Sequence, residues 1–271
     1  MAKKKNLKDV DALDMAIIEE HMSNDSILNY IAPNGLVDVK MLKTMNFKVD
    51  IKCKNEKQKE FLNCLKEKQK ELCFGIGSPG TGKSFISLSY ALKELRDGNF
   101  SKIVMIIPTA QSVEKDMSLG FLKGTFEEKT CMFKEADKST IEKILKMSGN
   151  QDAHTIASKL VNSNLIQYEF ANFLLGKTID NSIILVNEAE QYTKDNMRLI
   201  LTRIGDNSKI IVTGDSLQTS RSSIKNKVNV SGLNYAIDTL SDMEEVSVTR
   251  FTDEDIVRNK LITKILKKWD V

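Results

Sequence analysis

The sequence predicts an α/β domain with a doubly wound, mainly parallel sheet, and three observations support this fold class. Short continuous runs of β-branched and other apolar residues recur along the chain, as in strands that are buried on both faces. Segments with helical periodicity separate these runs. A glycine-rich loop at residues 77–84 joins the first run to a helical segment. In folds of this class, ligands bind at the carboxyl ends of the strands.

The elements follow one another in a strand–helix rhythm. Residues 1–50 are expected to be an accessory segment with a short helix at about 10–22, and residues 51–271 to be the main domain. A helix is predicted at 55–70, with Phe61, Leu62 and Leu65 on its apolar side, and another at 85–95. The predicted strands are 72–76, 102–107, 182–186, 209–213 and 244–249. Residues 109–165 interrupt the rhythm and predict a helical insertion, with helical patterns at 139–147 and 152–162.

Composition limits the classes of protein that this chain can belong to. It has 271 residues with a formal net charge of +3, and 41% of them are hydrophobic. No apolar stretch approaches the roughly 20 residues of a membrane span. The first residues lack the apolar core of a signal peptide, so a cytoplasmic location without a membrane partner is expected. No CxxC pair occurs and the two histidines lie far apart, which disfavours a zinc site.

The glycine-rich segment fits the phosphate-binding pattern GxxxxGK[ST] in full. Its glycines allow main-chain amides to surround a phosphate, and the following helix adds partial positive charge at its N-terminus. Lys83 is expected to reach the β- and γ-phosphates, and the Ser84 hydroxyl to bind Mg²⁺. An ordinary glycine-rich turn is the alternative, which the flanking strand and helix disfavour. The candidate nucleotide-binding residues are Gly77, Ser78, Pro79, Gly80, Thr81, Gly82, Lys83, Ser84 and Phe85.

A second motif follows the predicted strand at 182–186. Asn187 stands where a phosphate-loop enzyme needs an acid near Mg²⁺, and its neutral amide is expected to hold the metal more weakly than a carboxylate. Glu188 is the candidate that polarises the attacking water. The alternative is that both side chains cap the next helix, as Asn commonly does.

A third motif follows the predicted strand at 209–213. The turn Thr213-Gly214-Asp215 is succeeded by Gln218, which is a candidate to contact the γ-phosphate or the attacking water. The same residues also make an ordinary turn. The position of this motif one strand after Asn187 favours the catalytic interpretation.

The order of these motifs resembles the PhoH-like ATPase family, which is related to the first motor domain of superfamily 1 helicases. The resemblance covers residues from about 55 to 268. Three departures stand out: Asn187 replaces an Asp, Ile107-Pro108 replaces an Arg-Pro pair, and residues 130–163 show no clear match. The matching segments are GSPGTGKS (77–84), GFLKG (120–124), EEK (127–129), LGKT (175–178), NEAEQ (187–191), LTRIG (201–205), TGDSLQ (213–218), SGL (231–233), Phe251 and DIVRN (255–259).

The resemblance implies ATP and Mg²⁺ as ligands, single-stranded RNA as a partner, and a homo-oligomer such as a hexameric ring. Gln58 stands where a helicase-type glutamine reads the adenine edge, although a solvated helix face explains it equally well. An arginine from one subunit is expected to act in the site of the next, and the candidates are Arg258 and Arg203. Surface ion pairs are the alternative for both.

Three functions are therefore considered. The first is an ATPase motor that acts on RNA. The second is a nucleotide-gated binding protein with little hydrolysis, because Asn187 replaces the metal-shell Asp. A small-molecule kinase is the third, and it is disfavoured because residues 109–165 contain no arginine. GTP is disfavoured as the nucleotide because the segment at 226–229, NKVN, lacks the Asp that reads guanine.

Overall fold

The computed structural model describes residues 42, 45–108, 126–215, 231–258, 261 and 268, without the side chains of 126–129. The predicted helix at about 10–22, the segment 120–124, Gln218 and residues 226–229 lie outside the described residues.

The core is a six-stranded sheet in which every neighbouring pair of strands is parallel. The strand order is β3-β2-β4-β5-β1-β6. Strand β1 therefore lies between β5 and β6, and β5 separates it from β4. The strands are β1 (Leu72–Ile76), β2 (Lys102–Ile107), β3 (Ile166–Phe170), β4 (Ser182–Val186), β5 (Lys209–Gly214) and β6 (Val246–Arg250).

Helices cover both faces of the sheet, and alternate strand residues point to each face. On β4, Ile183 packs with one hydrophobic cluster and Ile184 with the other, which is the period-2 alternation of a strand. One face carries α1 (Glu56–Lys66), α2 (Lys83–Arg96), α3 (Phe126–Met147) and α4 (Ala153–Asn162); the other carries α5 (Lys194–Leu201) and α6 (Gly232–Leu240). The predicted doubly wound α/β fold class is confirmed.

The structure differs from the sequence predictions at four elements. Helix α1 ends at Lys66 rather than at residue 70, because Glu67 has an extended backbone and caps the helix. Strand β6 covers Val246–Arg250 instead of 244–249. The pattern at 139–147 is only the last part of α3, which begins at Phe126. Strand β3 at Ile166–Phe170 was not predicted.

The helical pair α3–α4 is joined to the segment 45–54, which precedes α1. The Asn150 side chain accepts from Lys48 N at 2.9 Å and donates to Lys48 O at 2.8 Å. Ser148 Oγ accepts from Asp50 N at 2.9 Å. Met45, Phe47 and Val49 are buried against the same core as α3. These bonds fix the end of α3 relative to the start of the main domain.

Candidate functional site

The glycine-rich loop connects β1 to α2 at the carboxyl edge of the sheet. Gly77, Gly80 and Gly82 have φ values of 139°, 88° and 90°, which side-chain-bearing residues rarely adopt. Gly82 is also the N-cap of α2 and supplies no side-chain cap. The first amides of α2 therefore have no side-chain acceptor at the N-cap, and they can bind an anion.

Lys83 lies inside this loop and is only 8% exposed. Its Nζ donates to the carbonyl oxygen of Gly77, to that of Ser78 at 2.8 Å, and to Thr81 Oγ1 at 3.1 Å. Burial lowers the pKa of Lys83, while the carboxylates of the site oppose this shift. The ammonium group is thus held at the loop by neutral oxygens that a phosphate can replace.

A chain of hydroxyl and amide groups links α2 to β4 across β5. Thr213 Oγ1 donates to Asn187 Oδ1 at 2.8 Å. The 3.1 Å bond between Ser84 Oγ and Thr213 Oγ1 is therefore donated by Ser84. Oxygen atoms of this kind are the ligands that Mg²⁺ prefers. Ser84 and Asn187 thus fit a magnesium site, although neither side chain carries charge.

Glu188 follows Asn187 in a left-handed backbone conformation with φ of 51°, and its side chain is exposed toward the cavity described below. A non-glycine residue in this region stores about 1–3 kcal/mol of strain. The backbone thus turns sharply at the end of β4, where Glu188 is placed beside Asn187. This position agrees with the predicted role of Glu188, which stays a prediction.

Glu190 is a site residue that the sequence analysis did not identify. Its Oε2 accepts from Asp215 N at 2.9 Å, which ties the end of β4 to the end of β5. Burial, followed by the nearby Glu188 carboxylate, raises the pKa of Glu190 to about 7. The only available signal in the sequence was an additional acid in the segment 187–191.

Residues 251–258, here called the loop-covering segment, lie over the glycine-rich loop. At its start, Phe251 N donates to Ile76 O at 2.6 Å. The Phe251 ring packs edge-to-face against Phe61 of α1, with 5.7 Å between ring centroids. This segment is therefore fixed to both β1 and α1 before it reaches the loop.

Further along, the same segment contacts the loop directly. The Ser78 hydroxyl donates to the Asp253 carboxylate, and Val257 N donates to Gly80 O at 3.0 Å. Arg258 lies beside Gly80 and lines the cavity. Of the two arginine candidates, Arg258 is therefore placed at the site of its own chain.

Arg203 lies elsewhere. Its main-chain oxygen accepts from Ile179 N, just before β4, so it lies near the amino ends of the strands. Its guanidinium group donates to Lys177 O at 3.2 Å and to Thr202 Oγ1 at 3.1 Å. The glycine-rich loop is at the opposite edge of the parallel sheet. Arg203 is thus not part of the site in its own chain.

Gln58 on α1 is 2% exposed, and its side chain contacts the glycine-rich loop. Its Nε2 donates to Thr81 O at 2.8 Å, and its Oε1 accepts from Lys54 N at 2.7 Å. Both polar atoms of the amide are therefore bonded to main chain. This contact fits a role of Gln58 in supporting the loop. Recognition of the adenine edge by Gln58 stays a prediction.

A cavity of about 680 Å³ is lined by Lys83, Ser84, Glu188, Glu190 and Arg258, among other residues. It joins the loop to the segment before α1 and to α3, and its volume suits a nucleotide-sized ligand. Its lining residues are Lys52, Lys54, Gln58, Pro79, Gly80, Gly82, Lys83, Ser84, Phe85, Thr140, Lys143, Met147, Glu188, Glu190, Thr213, Gly214, Asp215, Val257 and Arg258.

The parallel sheet, the complete glycine-rich loop and the polar ends of β4 and β5 define a P-loop NTPase fold. Comparison with known proteins gives the family: the family described as PhoH-like protein matches residues 50–270. The chain therefore belongs to the PhoH-like protein family.

Curated relatives agree with this assignment. A PhoH-like protein of Bacillus subtilis (strain 168) is 30% identical over 220 residues, which are 81% of this chain and 64% of the relative. A PhoH-like protein of Mycobacterium tuberculosis (strain ATCC 25618 / H37Rv) is 28% identical over 81% of this chain and 58% of the relative. Protein PhoH of Escherichia coli (strain K12) is 27% identical over 90% of this chain and 65% of the relative.

This chain spans less than two thirds of the length of each of these relatives. Within the described residues, none of the helices combines the length and the apolar character that crossing a bilayer requires.

Proposed function

We propose that the protein binds ATP together with Mg²⁺ and hydrolyses the γ-phosphate. One observation carries the proposal: Lys83 and Ser84 at the start of α2 line the same cavity as Glu188, which follows β4. In this proposal, main-chain amides of the glycine-rich loop and of the first turn of α2 hold the phosphates. The Lys83 ammonium exchanges the loop oxygens that it now contacts for oxygens of the β- and γ-phosphates.

Ser84 and Asn187 would hold Mg²⁺, which supplies charge neutralisation at the phosphates when it is bound. Glu188 orients and polarises the attacking water, and its exposed side chain has room for that water. Arg258, which lies beside Gly80, supplies positive charge to the same phosphates in its own chain. Gln218 is proposed to contact the γ-phosphate, as predicted from the sequence.

The test is Mg²⁺-dependent ATP hydrolysis by the full chain and by two variants. Lys83→Ala removes the charge at the phosphates, and Glu188→Gln keeps the shape of the side chain but not its basicity. We expect each to lower the turnover rate by at least about a hundredfold. Glu245→Gln is the matched control, because Glu245 is exposed and lies before β6. Full turnover in Glu188→Gln would contradict the role of this residue.

A second candidate is a nucleotide-gated binding protein with little hydrolysis. The neutral Asn187 supports it, because its amide oxygen accepts a hydrogen bond from Thr213 and adds no charge to the metal site. Asn187→Asp separates the two candidates. A hydrolysing enzyme should gain rate, or need about tenfold less Mg²⁺ for half-maximal rate, since a carboxylate binds the ion more strongly.

Asn207→Asp is the control for that change, because Asn207 precedes β5 at the opposite edge of the sheet. It alters net charge equally without approaching the loop. ATP binding without turnover in both the wild type and Asn187→Asp would favour the binding protein. A rate gain in Asn187→Asp alone would favour the enzyme.

Action on single-stranded RNA, assembly into a ring and a cytoplasmic location belong to the same proposal. The likeness to helicase motor domains supports the first, and the resemblance to the PhoH-like ATPase family supports the second. In a ring, Arg203 is the candidate to act in the site of another subunit, because it lies at the edge of the sheet opposite its own site. ATPase assays with and without single-stranded RNA test the first, and sedimentation velocity with Arg203→Ala tests the second. Unchanged ATPase with RNA would contradict an RNA motor.

A further inference from the structure

We propose that helix α3 forms the base-and-ribose part of the nucleotide site, through Thr140, Lys143 and Met147. This inference rests on the proposed function, because it assigns the part of ATP that the glycine-rich loop does not hold. Residues 130–163 were the part of the main domain for which the sequence showed no family pattern.

Three side chains on one face of α3 line the cavity. Residues 140, 143 and 147 are spaced by three and four, so they share one face of the helix. All three line the cavity that contains the loop. The neighbouring face carries Ile141, Ile144 and Leu145, which are buried in the core. Core packing therefore fixes α3 with the face that carries Thr140, Lys143 and Met147 toward the cavity.

The segment that precedes α1 links α3 to the loop, because hydrogen bonds at its two ends reach both. The turn after α3 is bonded to the segment 45–54 through Asn150 and Ser148. Lys54 N donates to Gln58 Oε1, and Gln58 Nε2 donates to Thr81 O. Helix α3 and the glycine-rich loop form two walls of the cavity. Both are thus held in position by hydrogen bonds to the segment before α1 and to Gln58. Such preorganisation is expected of a binding site.

The size of the cavity and the side chains that line it suit a complete nucleotide. A triphosphate alone does not fill a cavity of about 680 Å³, whereas a complete nucleotide suits it. Lys143 on α3, with Lys52 and Lys54 opposite, offers hydrogen-bond donors to ribose hydroxyls, ring nitrogens and the α-phosphate. Met147, which is 38% exposed, and Phe85 provide apolar surface for the face of a base.

The experiment compares two ligands by titration calorimetry on the full chain: MgATP, and magnesium tripolyphosphate, which lacks base and ribose. We expect Lys143→Ala and Met147→Ala to weaken MgATP binding by about 3- to 10-fold each. Binding of tripolyphosphate should not change. Lys146→Ala is the matched control, because Lys146 is an exposed lysine on the same helix that pairs with Glu142 outside the cavity.

The outcomes separate the two proposals. If the wild type binds neither ligand, the proposed function fails. If the wild type binds both ligands equally well, or if Lys143→Ala and Met147→Ala weaken both ligands by the same factor, the role of α3 is overturned while nucleotide binding stands. Thermal unfolding of each variant establishes that the fold is retained.

Discussion

At the scale of single residues, the negative charge of the site is distributed in an unusual way. Asn187 is neutral, while Glu188 and Glu190 place two carboxyl groups close together at the end of β4. Burial of Glu190, together with the neighbouring Glu188 carboxylate, favours the protonated form of Glu190 near neutral pH. The negative charge of Glu190 therefore destabilises the folded protein, and replacing this carboxyl group should increase the free energy of unfolding.

The prediction concerns Glu190→Gln. The pKa of Glu190 is about 7 in the folded protein, against a usual 4.5. The folded state therefore holds the proton more tightly, and the stabilisation is complete below pH 4.5 and is lost as pH rises through 7. Glutamine does not ionise. The difference in free energy of unfolding between the variant and the wild type should therefore change with pH. We expect it to move in favour of the variant by about 1–3 kcal/mol as pH rises from 5 to 8.

Urea denaturation without nucleotide at both pH values measures this gain. Glu245→Gln serves as the control, since Glu245 is exposed. An equal pH dependence of both variants would show that the Glu188–Glu190 pair does not carry the charge cost.

Glu190 also illustrates what sequence reasoning could not reach at this scale. Lys83, Ser84, Asn187 and Glu188 were identified because they stand at fixed positions after strands or inside a known loop. Glu190 lies in a short 3₁₀ turn, Ala189–Gln191, and its partner Asp215 N directly follows strand β5. Periodicity carries no information about such a contact, which exists only once β4 and β5 are adjacent.

At the scale of elements, the strand that was missed is less buried than the central strands that were predicted. Strands β2, β4 and β5 are buried on both faces, and their sequences contain continuous apolar runs. Strand β3 lies at the edge of the sheet, and its burial alternates because Gln167 and Glu169 are half-exposed. An alternating five-residue segment next to a helix gives a weak signal. Helix α3 was shortened in the prediction for a related reason, since the side chains of residues 131–138 are half-buried or exposed.

The loop-covering segment makes a prediction at the same scale. A methyl group on Gly77, whose φ is 139°, would collide with the main-chain oxygen of Phe251. Gly98 also has a positive φ, of 76°, but no atom lies within 4 Å of the added methyl group. Gly98→Ala should therefore cost only the backbone strain, about 1 kcal/mol, while Gly77→Ala costs at least about 2 kcal/mol more.

Chemical denaturation of both variants gives the two costs, and nucleotide titration gives the functional effect. We expect Gly77→Ala alone to weaken ATP binding, because the segment 251–258 must move away from the loop. Equal stability losses in the two variants would mean that this segment does not constrain Gly77.

At the scale of the whole molecule, the proposed ligand would contact parts of the chain that are far apart in sequence. The cavity is lined by residues from the segment before α1, the loop, α3, the ends of β4 and β5, and the segment 251–258. Each of these packs on the one sheet. A ligand bound among them should therefore stabilise the entire domain rather than a single loop.

The corresponding prediction is a concentration-dependent rise in thermal stability. A ligand that binds only the folded state adds about 2.7 kcal/mol at a hundred times its dissociation constant. For a domain of this size that corresponds to roughly 5–10 °C in Tm. Scanning calorimetry with increasing MgATP should show this shift for the wild type and for Lys146→Ala. Lys83→Ala should show little or none, since the ammonium inside the loop is lost. A single transition that moves as a whole would indicate that the site couples all the elements around it. A shift of equal size in Lys83→Ala would place the nucleotide outside the glycine-rich loop and contradict the assignment of the site.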